Sequence, residues 1–168
     1  MNRSNDAEEA SASATTMGQI PAAAAIQQVI AEQTEAWNRG DAHAWARGFS
    51  DTAGFVNILG MALNGRAEIE ARHALILSTL FRGSHAVATV NRITFLGREI
   101  ALAETVNHVT GCRALPTGIM ATNSSGALLT RMTYVLQHSA TRGWEIVHAH
   151  NTATAPDAPE LNVVAHAE

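Results

Sequence analysis

Two histidines and a tryptophan share one short run near the end of the chain, Trp144-Glu145-Ile146-Val147-His148-Ala149-His150-Asn151. In a strand the side chains alternate, so Trp144, Ile146, His148 and His150 are expected on one face and Glu145, Val147 and Ala149 on the other. Such a face either ends wet, with both imidazoles in solvent, or lines a cavity. Imidazole titrates near neutral pH, so a pair can give and accept a proton within one turnover, which suits dehydration, cyclisation or enolisation of a carbonyl compound. A third histidine, His73, falls on the apolar stripe Ile69, His73, Ile76, Leu77 and Leu80 of a helix. There it is either hydrogen-bonded to a neighbouring strand or a proton carrier in the same cavity. His148, His150 and His73 are the candidate catalytic residues. Arg131 either holds a carboxylate or enolate beside them or sits in a solvated cross-strand ion pair.

A metal site needs three convergent ligands, and this strand supplies two, His148 and His150. No His-x-x-x-His helix pair or Cys-x-x-Cys accompanies them, so neither a metal nor a cofactor is expected. Ser-His-Asp order, a Gly-rich phosphate loop and paired carboxylates are likewise missing from the pattern. Gln33 and Asn57 are polar positions in otherwise apolar elements, where an unpaired buried amide costs about 1 to 3 kcal/mol. A ligand or an ordered water would supply their partners, which makes both candidate ligand-binding residues along with Arg131. Trp37 is either core or ligand wall. Asp51 is either at the cavity rim or the cap of a turn.

The elements that must position these groups come as helices first and strands after. Ile26, Val29, Ile30, Gln33 and Trp37 recur at helical spacing and predict a helix over 21–38, starting at Pro21 and ending before Gly40. Asp41 reads as the N-cap of a short second helix that buries Trp45 and Phe49. A third helix is expected from Asn64-Gly65 to about Leu80. A short strand over 54–59 with a return at 61–63 precedes that third helix. Longer strands are expected at 84–97, 100–112, 127–138 and 144–151, with a Gly-, Ser- and Thr-rich loop over 116–126. Residues 1–18 and 155–168 read as disordered tails around one domain over 19–154. Helices on one side of a curved, mostly antiparallel sheet form an α+β cone with one open mouth.

With 168 residues, 46% hydrophobic and 15% charged, the chain can bury a sizeable core. The formal net charge is −4 and every side-chain cation is arginine or histidine, with no basic run to follow a phosphate backbone. Nucleic acid and anionic membranes are therefore not expected partners. Cys112 has no second cysteine to pair with, so the fold does not rest on an oxidising compartment. No run approaches a membrane span, and the acidic N-terminus is unlike a signal peptide, which points to a cytoplasmic protein.

Four short motifs in order carry a family resemblance: Ala36-Trp37-Asn38-Arg39-Gly40-Asp41, Phe49-Ser50-Asp51-Thr52-Ala53, Gly65-Arg66-Ala67-Glu68-Ile69 and Gly143-Trp144-Glu145-Ile146-Val147-His148. Together they resemble the SnoaL-like branch of the NTF2-like superfamily, closest to the SgcJ/EcaC type, over about residues 22–153. The resemblance implies a cone fold, a homodimer through the sheet, and a pocket between the long helix and the concave sheet face. It covers isomerases, cyclases, dehydratases and non-enzymes alike, so it predicts no single reaction. Placed on the ketosteroid isomerase pattern, the oxyanion-binding tyrosine falls on Gln33 and the aspartate base falls on Asn57. The second acid falls in a region holding Arg131 and Thr133 with no carboxylate. An amide cannot take a carbon-bound proton at neutral pH, so steroid isomerase chemistry is not expected. The expected role is binding and transforming a small hydrophobic, polyketide-like molecule by cofactor-free histidine acid/base catalysis. The alternatives are a non-catalytic ligand-binding accessory protein of secondary metabolism and a plain dimerisation module.

Overall fold

Ile26 and Ile30 lie fully buried one helical turn apart, and Gln33 follows them on the same stripe, which sets one side of the first helix against a sheet. The computed structural model describes residues 3–122 and 125–154, with side chains from Gln19 onward. The elements run α1 (Arg3–Asn38), α2 (Ala42–Ala46), β1 (Phe49–Val56), β2 (Ala62–Asn64), α3 (Arg66–Ser78), β3 (His85–Phe95), β4 (Ile100–Thr110), β5 (Leu128–Ser139) and β6 (Gly143–Ala153). Among the described residues no helix is long and apolar enough to cross a membrane. Residues 1–2 and 155–168 of the expected tails, and Asn123 and Ser124 of the expected loop, lie outside the described residues.

Helix α1 begins at Arg3 and carries Pro21 inside it, where the sequence pattern places the start. Proline removes one backbone donor, but the four alanines that follow it favour helix strongly, and the helix continues across the gap. Its end is set by the Trp37-Asn38-Arg39-Gly40-Asp41 motif. Gly40 takes a positive φ of 69°, and the Gly40 and Asp41 amides donate to the Trp37 and Ala36 carbonyls at 2.8 and 2.9 Å. Asp41 Oδ1 then accepts from the Ala44 amide at 2.9 Å and starts α2. Asn38 ties the helix to the sheet edge, donating to the Ala86 carbonyl at 2.9 Å and accepting from the Ala86 amide at 2.7 Å. Phe49 opens β1 instead of closing α2 as the sequence pattern suggests, and it is fully buried there.

The six strands form one sheet in the order β2-β1-β6-β5-β4-β3. The β1–β6 pair is parallel and the others are antiparallel. Helices packed on one face of this curved, mixed sheet make the expected α+β cone. The main core joins α1, α2, α3 and the inner sheet face through Ile30, Trp45, Phe49, Phe55, Ile69 and Ile146.

Strand β6 does not keep one phase along its length. Leu136 pairs with Ile146 and Val135 pairs with His148, so Val147 is an extra residue, a β-bulge. Before the bulge Trp144 and Ile146 face the core. After it Ala149 is fully buried and Asn151 faces inward, while His148 and His150 are exposed. The expectation that His148 and His150 share a face with Trp144 and Ile146 is therefore corrected: one inserted residue moves every later side chain to the opposite face.

Candidate functional site

Between α1, α3 and the inner sheet face lies a cavity of about 100 Å³, large enough for several ordered waters or the reacting part of a small organic molecule. Trp37, Trp45, Phe55 and Ile76 give it apolar walls, and Gln33, Asn57 and His73 add polar groups to them. The structure thus brings together four of the residues singled out from the sequence: Gln33, Trp37, Asn57 and His73.

His73 is 3% exposed and stacks on Trp45 with ring centroids 3.6 Å apart and planes 19° from parallel. Phe55 meets it edge-on at 5.4 Å. Its Nδ1 lies 2.7 Å from the Ile69 carbonyl, one turn back in α3. A carbonyl only accepts, so Nδ1 carries the hydrogen and Nε2 holds the lone pair of the neutral ring. Burial lowers the pKa from 6.5 to about 4; the Ile69 hydrogen bond opposes that shift, and the neighbouring Arg72 charge adds to it. At neutral pH the ring is an uncharged proton acceptor in an aromatic cage. Its hydrogen bond runs within its own helix and not, as one sequence expectation has it, to a neighbouring strand.

Gln33 is buried and held at both ends of its amide. Nε2 donates to the Trp45 carbonyl at 3.3 Å, and Oε1 accepts from the Tyr134 hydroxyl at 3.1 Å. Tyr134 is fully enclosed, and desolvation pushes its pKa up, with the nearby Thr105 hydroxyl opposing the shift. Beyond it Thr105 donates to Asn107 Oδ1, and Asn107 Nδ2 donates to Thr130 Oγ1, each at 3.2 Å. A satisfied polar chain therefore crosses β4 and β5 on the inner face, and it fixes rotamers along one cavity wall. Asn151 Oδ1, also on the wall, is buried with no hydrogen-bond partner among the described residues. An acceptor left in that state costs about 1 to 3 kcal/mol unless a ligand or water donates to it.

Asn57 follows β1 and closes the turn into β2. Its Oδ1 accepts from the Leu59 and Met61 amides at 2.9 and 3.0 Å, which fixes the amide orientation and points to Nδ2 as the group left for the cavity. Trp37 is wall and anchor at once, because its Nε1 donates to Ser84 Oγ at 3.0 Å.

The other expected site residues are elsewhere. His148 and His150 are exposed on the outer face of β6, opposite Val135 and Thr133, and Arg131 is exposed on the same face of β5. None of the three lines the cavity. His148 lies over Gly54, where a Cβ would sit 2.6 Å from its Nδ1, so the glycine makes room for the ring. Asp51 belongs to β1, where it is ion-paired with Arg66 and Arg142. Among the described residues no cluster of three or more His, Cys, Asp and Glu side chains is arranged to hold a metal ion.

Several residues of this site were not singled out from the sequence. Thr105 and Asn107 interrupt the inward series Ala101, Ala103 and Val109 of β4, a signal that period-two counting can find. Tyr134 is the only tyrosine in the chain, and its inward phase with Met132 and Leu136 demands a partner for its hydroxyl. Arg72 lines the cavity next to His73, with no signal in the sequence beyond that adjacency.

No protein-family model matches the chain, and no curated protein matches it. Among solved structures, a domain of unknown function with a cystatin-like fold from Nostoc punctiforme is 30% identical with a TM-score of 0.65, the match covering 78% of this chain and 76% of that one. The chain belongs to this cystatin-like family. A second protein with the cystatin-like fold, from Caulobacter vibrioides, is 25% identical over 82% of this chain and 93% of that one, with a TM-score of 0.68. A hexachlorocyclohexane dehydrochlorinase shares the fold at 12% identity, with a TM-score of 0.67 over 83% of this chain and 89% of that one. In this cystatin-like chain the cavity places one neutral imidazole among aromatic rings and amides.

Proposed function

We propose that this protein binds a small, largely apolar molecule in the cavity and transforms it by cofactor-free proton transfer through His73. The observation that carries the proposal is the His73 tautomer: the Ile69 carbonyl takes the Nδ1 hydrogen and leaves Nε2 as a lone-pair nitrogen inside an aromatic cage. A base of this kind is deprotonated at neutral pH, and it gains proton affinity when negative charge develops on a bound substrate beside it. Elimination of water or another leaving group, or enolisation, needs that much from the protein. The hexachlorocyclohexane dehydrochlorinase, named for an elimination, is like this chain in fold alone. The SgcJ/EcaC-type resemblance supplies the polyketide context and the expectation of a homodimer through the sheet. Half-buried Leu102, Val106 and Val135 on the outer sheet face support that dimer surface.

A non-catalytic carrier is the second possibility. It is favoured by the amide groups of Gln33, which are spent on internal partners and not directed at a ligand. One experiment separates the two. Thermal shift against aromatic polyketides, steroids and small hydroxy acids finds a ligand, and NMR then follows its conversion by the wild type and by His73→Gln. The proposal expects conversion lost in the variant with binding kept within a few-fold. Conversion that survives in His73→Gln contradicts it, and binding without conversion in the wild type makes the protein a carrier.

A further inference from the structure

Among the described residues that line the cavity, Arg72 is the one charged side chain and none is a carboxylate. Arg72 as a whole is half-buried, and none of the ion pairs among the described residues uses it. Six residues earlier in the same helix the contrast is plain: Arg66, at the start of α3, is held by Asp51 and the Phe49 carbonyl. A half-buried guanidinium gives up part of its hydration, and a ligand anion restores it through two parallel charge-assisted hydrogen bonds. Asn57 adds a second donor to the same lining. Its Oδ1 is taken by the Leu59 and Met61 amides, and no hydrogen bond among the described residues uses its Nδ2.

We propose that the ligand is an organic anion, an apolar ring or short chain carrying a carboxylate, with the carboxylate on Arg72 and Asn57 Nδ2 and the body along Trp37, Phe55 and Ile76. This rests on the cavity being a small-molecule site, and it names the chemical class that site selects. The same anion has a consequence for His73: a negative charge near the ring opposes the effect of Arg72 and favours the imidazolium form that proton transfer creates.

The test uses matched carboxylates and carboxamides with phenyl, cinnamyl and naphthyl bodies, titrated calorimetrically into the full chain. Each pair differs in charge while keeping nearly the same shape. The carboxylate of at least one pair is expected to bind about tenfold or more tighter than its amide. Arg72→Gln should abolish that preference, and Arg72→Lys should keep part of it because the charge remains while the planar fork is lost. Asn57→Asp keeps the acceptor oxygen for Leu59 and Met61 but places a negative charge at the carboxylate, so it should reverse the preference. Carboxamides that bind as well as carboxylates, or a preference untouched by Arg72→Gln, overturn the anion proposal and leave the cavity as a neutral-ligand site. Failure of every carboxylate and every amide to bind overturns both this proposal and the small-molecule function it rests on.

Discussion

The two sides of one sheet hold three of this protein's histidines in opposite physical states. On the outer face His148 and His150 stand exposed beside Val135 and Thr133, and His148 is seated over a glycine. On the inner side His73 is enclosed by Trp45 and Phe55, loses its charge to burial, and keeps a single hydrogen bond to its own helix. A titrating residue type is therefore not a site by itself; enclosure, tautomer and neighbouring charge separate the one buried imidazole from the two exposed ones. Val147 is the residue that keeps the faces distinct, because the bulge turns Ala149 and Asn151 inward and the two histidines out.

The comparison is broken most severely by Ala149→Asp, which puts a carboxylate into the fully buried inward phase that follows the bulge, and a loss of more than about 4 kcal/mol in urea unfolding is expected. A smaller effect separates the faces by pH. The unfolded chain protonates His73 below its ordinary 6.5, whereas the folded chain does not until about 4, so the unfolded state binds more protons between these values. Stability from this residue is full above pH 6.5, falls through the window and is lost by about pH 4, by roughly 3 kcal/mol. His73→Gln should flatten that part of the urea-stability profile, and His148→Ala with His150→Ala should leave it in place. Tyr134→Phe comes next: it strips the donor from buried Gln33 Oε1 and should cost about 1 to 3 kcal/mol by chemical denaturation. Smallest of all, His148→Ala and His150→Ala, each on the exposed face, should change monomer stability by under about 0.5 kcal/mol.

The motif order and the helix-then-strand pattern are enough to read the cone, since each rests on local chemistry: a Gly40 turn, an Asp41 cap and apolar periodicity on α1 and α3. The same local chemistry marks His73, Gln33, Asn57 and Trp37 for one cavity, and all four line it. It failed for His148, His150 and Arg131. For the histidines the reason is the bulge: a bulge is a property of the β5–β6 pairing, and nothing in Trp144 to Asn151 marks Val147 as the unpaired residue. For Arg131 the inward phase of β5 belongs to Thr130, Met132 and Tyr134, and placing it requires knowing which face the helices cover. Arg72 was missed for a related reason, because an arginine on a polar helix flank looks solvated until the cavity beside it is known. Asn57 shows the opposite limit. Its need for partners was legible, yet two of them proved to be backbone amides of its own turn.

The most direct measurement on the central claim is the ¹⁵N NMR tautomer state of His73 across pH in the full chain, with and without a bound carboxylate. The account predicts a neutral ring with hydrogen on Nδ1 and a bare Nε2 from pH 8 down to about 5, and a shift toward the protonated ring when the anion binds. A His73 ring that is already protonated near pH 6.5, or one that carries its hydrogen on Nε2, would contradict it.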